Sequence, residues 1–174
     1  MSRFRIWIIL AVLMLCLGIY VLLDQGIAEA WYFFAAAALF VVGSFLLSPV
    51  QTAYRHLRGG RLQQAEQYIA RVDSPERLLP ARRSRYHFVR GMIALQREQY
   101  ETAIEQLEAA LAIGIPQARE ATLAQLNLAH TYYVTGKLTE SRAWYERITP
   151  PATRDLMFEQ RMQELDSALT RKGV

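Results

Sequence analysis

The residues of this chain best able to do chemistry are three histidines, one cysteine and a set of closely spaced arginines. His56, His87 and His130 stand far apart, and none belongs to a metal-ligand spacing. No phosphate-binding loop, nucleophile elbow or paired-carboxylate motif accompanies them. Cys16 is the only cysteine, which excludes an intramolecular disulfide, and Met14 and Leu15 stand just ahead of it where a lipidation signal needs small residues. These residues imply no enzyme, no metal and no cofactor; each histidine reads as a packed or surface residue. The arginines are more informative. Arg55, Arg58 and Arg61 come before any acid on their side of the chain, so they either meet anionic lipid headgroups, at up to ~1 kcal/mol each, or only fix membrane topology.

The elements that must position them fall into two parts. The chain has 174 residues, 52% of them apolar, and the apolar excess is concentrated before Ser48. Residues 6–23 and 30–47 are two runs without a charge. At 1.5 Å rise per residue each covers roughly 27 Å, close to a bilayer core of about 30 Å. Two such runs in so short a chain have too little protein to bury them as soluble helices. The connection between them, Asp24 to Glu29, holds two acids and no base, whereas Arg3 and Arg5 precede the first run and the arginines above follow the second. This asymmetry predicts an integral membrane hairpin over residues 1–48 with both termini in the cytoplasm. Trp7, Tyr20, Trp31 and Tyr32 suit the two interfaces. Cleavage at Ala28-Glu29-Ala30 is disfavoured because the apolar run is too long for a signal peptide and ends well before that site.

Beyond Ser48 a pattern recurs every 38 residues. Ala53, Gly91 and Ala129 fall in register, as do Ala65, Ala103 and Ser141, then Ile69, Leu107 and Tyr145. Gly60, Glu98 and Gly136 mark a turn, followed by Leu62, Tyr100 and Leu138. One offset kept by so many positions predicts three helix pairs, over residues 49–80, 81–116 and 117–150. Within them, helices are expected over 49–58, 61–72, 82–97, 100–113, 117–135 and 138–148, with a short helical segment after Asp73 that stops near Pro80. A last helix, over about 153–170 in the segment 151–174, carries Phe158, Met162, Leu165 and Leu169 on one side and reads as the cap of the array. The fold class is therefore all-α. The net charge of +4 is uneven too: residues 50–100 hold ten Arg and four acids, residues 101–174 eight bases and ten acids. No recognition helix, RNA-binding sheet or zinc finger accompanies the basic half, so no nucleic acid is expected.

These repeats resemble the tetratricopeptide repeat family. The likeness is carried by Leu126, Ala129, Tyr132, Gly136, Ser141 and Tyr145 in the third unit and by Gly91, Tyr100, Ala103, Leu107 and Ala110 in the second, and more weakly by Ala53, Gly60, Ala65 and Ile69 in the first. The period exceeds the family's usual 34 or so, but 12 residues separate the two small positions within every unit, so the extra length lies between units. A two-span hairpin followed by such repeats is also similar in architecture to bacterial inner-membrane proteins of complex assembly. The resemblance implies an α-solenoid adaptor or scaffold whose partner lies in the groove lined by the first helix of each unit. That groove would comprise Arg85, Phe88, Met92, Leu95 and Gln96 from the second unit. The third would contribute Leu126, Asn127, His130, Tyr133 and Val134. Its apolar character suits an amphipathic helix of a protein partner; membrane lipids are the other expected contact, and a homo-oligomer is compatible. Phe88 and Met92 stand where a carboxylate clamp of the family would begin, so no clamp is expected. The alternative is a structural subunit whose groove is covered by its own last helix.

Overall fold

A computed structural model describes residues 3–46, 48–149 and 155–173; within the first helices the side chains of 3–8, 25, 28–29 and 43–46 are not described. The expected break at Pro150-Pro151, and Leu47 at the end of the second apolar run, lie outside these residues. Among the described residues the elements are nine α-helices and one 3-10 turn: α1 (Arg3–Gln25), α2 (Ile27–Leu46), α3 (Pro49–Arg58), α4 (Leu62–Ile69), a 3-10 turn (Pro75–Arg77), α5 (Pro80–Gln96), α6 (Tyr100–Ile113), α7 (Ala118–Val134), α8 (Leu138–Glu146) and α9 (Leu156–Arg171). The chain divides into two compact units, Met1–Thr52 and Ala53–Val174.

In the first unit α1 and α2 form an antiparallel hairpin about Gly26, whose φ of 88° is open to glycine at little cost. Small residues make the contact: Ala11, Ala30 and Ala37 are buried, and a Cβ on Gly18 would lie 3.1 Å from the Cβ of Phe33. Many of the large apolar side chains are exposed instead, Ile9, Val12, Leu13, Leu39 and Val41 among them. No helix is long and apolar enough to cross a membrane among the described residues. The longest stretches described down to their side chains here are 9–24 and 30–42.

The second unit is built of helix pairs, and its turns repeat down to the hydrogen bond. Gly60, Glu98 and Gly136 have φ of 70°, 58° and 78°. After each, the next amide donates back five residues, Arg61 to His56, Gln99 to Ala94 and Lys137 to Tyr132, all at 2.9 Å. The left-handed residues themselves donate to Leu57, Leu95 and Tyr133. This is one Schellman turn made three times, and it satisfies the carbonyls that each first helix would otherwise leave orphaned. The small positions twelve residues apart are buried within the pairs. Ala53, Ala65, Ala103, Ala129 and Ser141 are buried, and the Ser141 hydroxyl donates to the Ala129 carbonyl at 2.7 Å. Gly91 is required outright, because a Cβ there would sit 2.7 Å from Leu107 Cγ at the centre of the second pair.

Several boundaries differ from expectation; α8, for one, ends at Glu146 and not at Ile148. α4 ends at Ile69, not Val72, and passes into turns. α5 begins at Pro80, ahead of the expected Arg82, since a first-turn proline has no amide hydrogen to lose and its φ suits the helix; the short segment after Asp73 is the 3-10 turn Pro75–Arg77, which ends before Pro80 as expected. α9 starts at Leu156, capped by Asp155, whose carboxylate accepts the Phe158 amide at 3.3 Å. This last helix packs on α7 and α8, where Leu165 and Leu169 join Leu126, Ala129 and Ile148 in one buried cluster.

Candidate partner-binding groove

The first helices α3, α5 and α7 share one face, and the 38-residue register tells which side chains point into it. Tyr54, Met92 and His130 are equivalent positions, as are Leu57, Leu95 and Tyr133, and Arg58, Gln96 and Val134. At the α3 and α5 end this face encloses a groove of about 560 Å³. Its apolar lining is Leu57, Leu62, Phe88, Met92 and Leu123, and its polar lining Tyr54, Arg58, Gln96, Gln117, Arg119 and Glu120.

A polar cluster holds the groove together from below. The Tyr54 hydroxyl donates to Glu120 Oε1 at 2.5 Å. Arg85 places Nε 3.8 Å from Glu120 Oε2, donates from Nη2 to Gln117 Oε1 at 2.7 Å, and sets its guanidinium 5.2 Å from the Tyr54 ring centre. Burial, the hydrogen bond to Glu120 and that carboxylate's charge together push the Tyr54 pKa up to about 12, so the phenol stays a donor at ordinary pH. The cluster links α3 to α7, with Arg85 of α5 between them.

The ten residues expected in the groove separate into three groups. Phe88, Met92 and Gln96 line it. Leu126 and Tyr133 lie outside this lining: Leu126 is buried with α9, and Tyr133 packs on the same cluster with Phe158, Met162 and Tyr145. Arg85 is likewise spent on Glu120 and Gln117, and does not line the groove. Asn127 donates to the Leu123 carbonyl at 2.8 Å, approaches Met92 Sδ at 3.6 Å and is outside the lining. Leu95 is half-buried and outside the lining, and Val134 is 44% exposed. His130 is open to solvent at the margin of α9; the protein around its imidazole, then the nearby Arg161, hold its pKa below the ordinary histidine value. Of the arginines assigned to lipid, Arg55 and Arg61 are exposed away from the lining, while Arg58 lines the groove with its guanidinium 5.8 Å from the Tyr54 ring centre.

The groove residues not expected were Tyr54, Leu57, Leu62, Gln117, Arg119, Glu120 and Leu123. Carrying the register of Met92, Leu95 and Gln96 back by one period would have found Tyr54, Leu57 and Arg58; carrying Arg85 forward by one would have found Leu123. A second, smaller pocket of about 240 Å³ continues from the first along α9. It shares Arg119 and Leu123 with it and adds Thr122, Leu126, Asp155, Met157, Phe158 and Arg161. Among the described residues no three His, Cys, Asp or Glu converge to hold a metal ion. No family model, curated protein or solved structure matches this chain.

Proposed function

We propose that this chain is a membrane-anchored adaptor of tetratricopeptide type, whose groove takes a segment of a protein partner at the cytoplasmic face and so helps assemble a membrane complex. The observation that carries this is the groove between α3, α5 and α7, apolar on five side chains and open where α9 does not reach. Concave, partly apolar surfaces with a few polar groups at the rim are where proteins commonly take ligands. Support for the anchor is the outward display of large apolar side chains by the hairpin, with Leu23 at 84% and Leu39 at 71% exposure, together with the uncharged runs and the arginines at their outer ends. Arg55 and Arg61 remain for anionic headgroups.

A second function has its own observation. α9 buries the face of the third pair, and Leu156 and Met157 at its start stay exposed, as in a structural subunit that packs against copies of itself. Photo-crosslinking from Gln96 in intact membranes separates the two. A foreign adduct that disappears with Met92→Glu supports the adaptor, a self-adduct supports the structural subunit, and the absence of any adduct refutes both. A reporter fused after Val174 tests topology; activity outside the cytoplasm would overturn the membrane orientation.

A further inference from the structure

Resting on the adaptor function above, we infer that the partner segment is an acidic amphipathic helix, seated end to end with α9 and held by carboxylates on Arg58 and Arg119. Two independent observations point there.

The first is charge. Among the described residues the one carboxylate lining the groove is that of Glu120, and it is committed to Tyr54 and Arg85. The cations are not committed in the same way. Arg58 is exposed, with its guanidinium 5.8 Å from the Tyr54 ring centre. Arg119 is paired with Asp155 at 3.2 Å, but its side chain is 80% exposed, and ion pairs in that setting are weak enough for a competing carboxylate to exchange with. The groove thus offers an apolar floor and positive charge at its rim, with no free negative charge to meet a basic ligand.

The second is continuity with a filled interface. On the neighbouring stretch of the same face, α9 shows what this surface accepts: Phe158, Met162, Leu165 and Leu169, spaced for one helical stripe, meet Leu126, Ala129 and Tyr133. Carboxylates flank that stripe and reach arginines of the repeats, Asp166 to Arg142 at 2.6 Å and Asp155 to Arg119 at 3.2 Å. The open groove adjoins this interface through Arg119 and Leu123, which line both pockets. A second helix of the same chemistry would extend α9 across Met92, Phe88 and Leu57 without any change in the repeats.

The test uses the full chain in discs of zwitterionic lipid, with empty discs as baseline. The probe is a fluorescent helical peptide with apolar residues at the spacing of Phe158, Met162, Leu165 and Leu169 and glutamates on its flanks. It is compared with otherwise identical glutamine and lysine peptides by anisotropy. The glutamate peptide is expected to bind at least fivefold tighter than the glutamine peptide, with affinity falling as salt rises, and the lysine peptide not at all. Arg58→Glu with Arg119→Glu, both at exposed positions, should weaken the glutamate peptide tenfold or more and favour the lysine peptide, with helical circular dichroism unchanged. Met92→Glu should remove all binding. Equal binding of the three peptides, lost with Met92→Glu, would overturn the acidic partner and leave the adaptor standing. Preference for lysine, or binding indifferent to all three substitutions, would also overturn it. Failure of every peptide to bind would remove the groove as an adaptor site altogether.

Discussion

One apolar face runs along α3, α5 and α7, and its two ends meet opposite fates. At the α7 end, Leu126 and Tyr133 are roofed by α9 and have become core. At the α3 and α5 end, Leu57, Phe88 and Met92 form the wall of a groove. Composition does not separate the two ends, since both are aliphatic and aromatic. Reach does: α9 has 16 residues, about 24 Å of helix, and its stripe is used up on the third pair. A repeat face becomes core or site according to whether the chain has a helix left to lay on it.

The contrast is sharpest at α9. Leu169 is fully buried there, so Leu169→Ala should cost ~2–5 kcal/mol in thermal or denaturant unfolding of the repeat unit. Met92→Ala in the half-exposed groove should cost well under ~1 kcal/mol by the same measurement. Equal costs would mean that the groove end is as much core as the α9 end. Below these lies the floor of the open end. Gly91→Ala forces a methyl against Leu107 and should cost ~1–3 kcal/mol, which urea titration would detect.

A smaller effect tests the cluster that keeps the open end in shape. Tyr54→Phe removes the donor to Glu120 and should cost ~1 kcal/mol at neutral pH. Its pH dependence is distinctive. Folding raises the Tyr54 pKa from the ordinary 10.0 to about 12, so its contribution is complete below pH 10 and fades as the pH rises towards 12. That part of the alkaline loss of stability should be missing from Tyr54→Phe. The smallest effect concerns the second of the three turns. Glu98 holds a φ of 58° that Gly60 and Gly136 hold without strain, so Glu98→Gly should raise the melting temperature, by a gain of up to ~1 kcal/mol. A loss instead would mean that Glu98 makes a contact its two counterparts lack.

Much of the helical architecture was legible in advance because it rests on local chemistry. Turn residues at a fixed period, small residues 12 apart and a helical apolar stripe each report on neighbours within a few turns, and they placed α6 at Tyr100–Ile113 to the residue. The site was less legible because it depends on distant partners. Arg85 looks like a ligand contact until Glu120 and Gln117 are beside it, and nothing in the spacing announces that Tyr54 will hydrogen-bond a residue 66 positions away. The stripe on α9 declared that it would be buried, but not against which helix. Pro80 did mark the end of the short segment before it, but its part in opening α5 was missed, because the same ring that ends a helix from within can begin one.

The bond from Tyr54 to Glu120 also governs how the repeats come apart. In an ordinary linear array each unit touches only its neighbours, and the end units fray independently. Here α3 of the first pair is fastened to α7 of the third, so the three pairs should open as one cooperative block. The same fastening fixes their number. A fourth pair spliced between the first and third would draw Tyr54 away from Glu120, and the array would lose the contact that closes it.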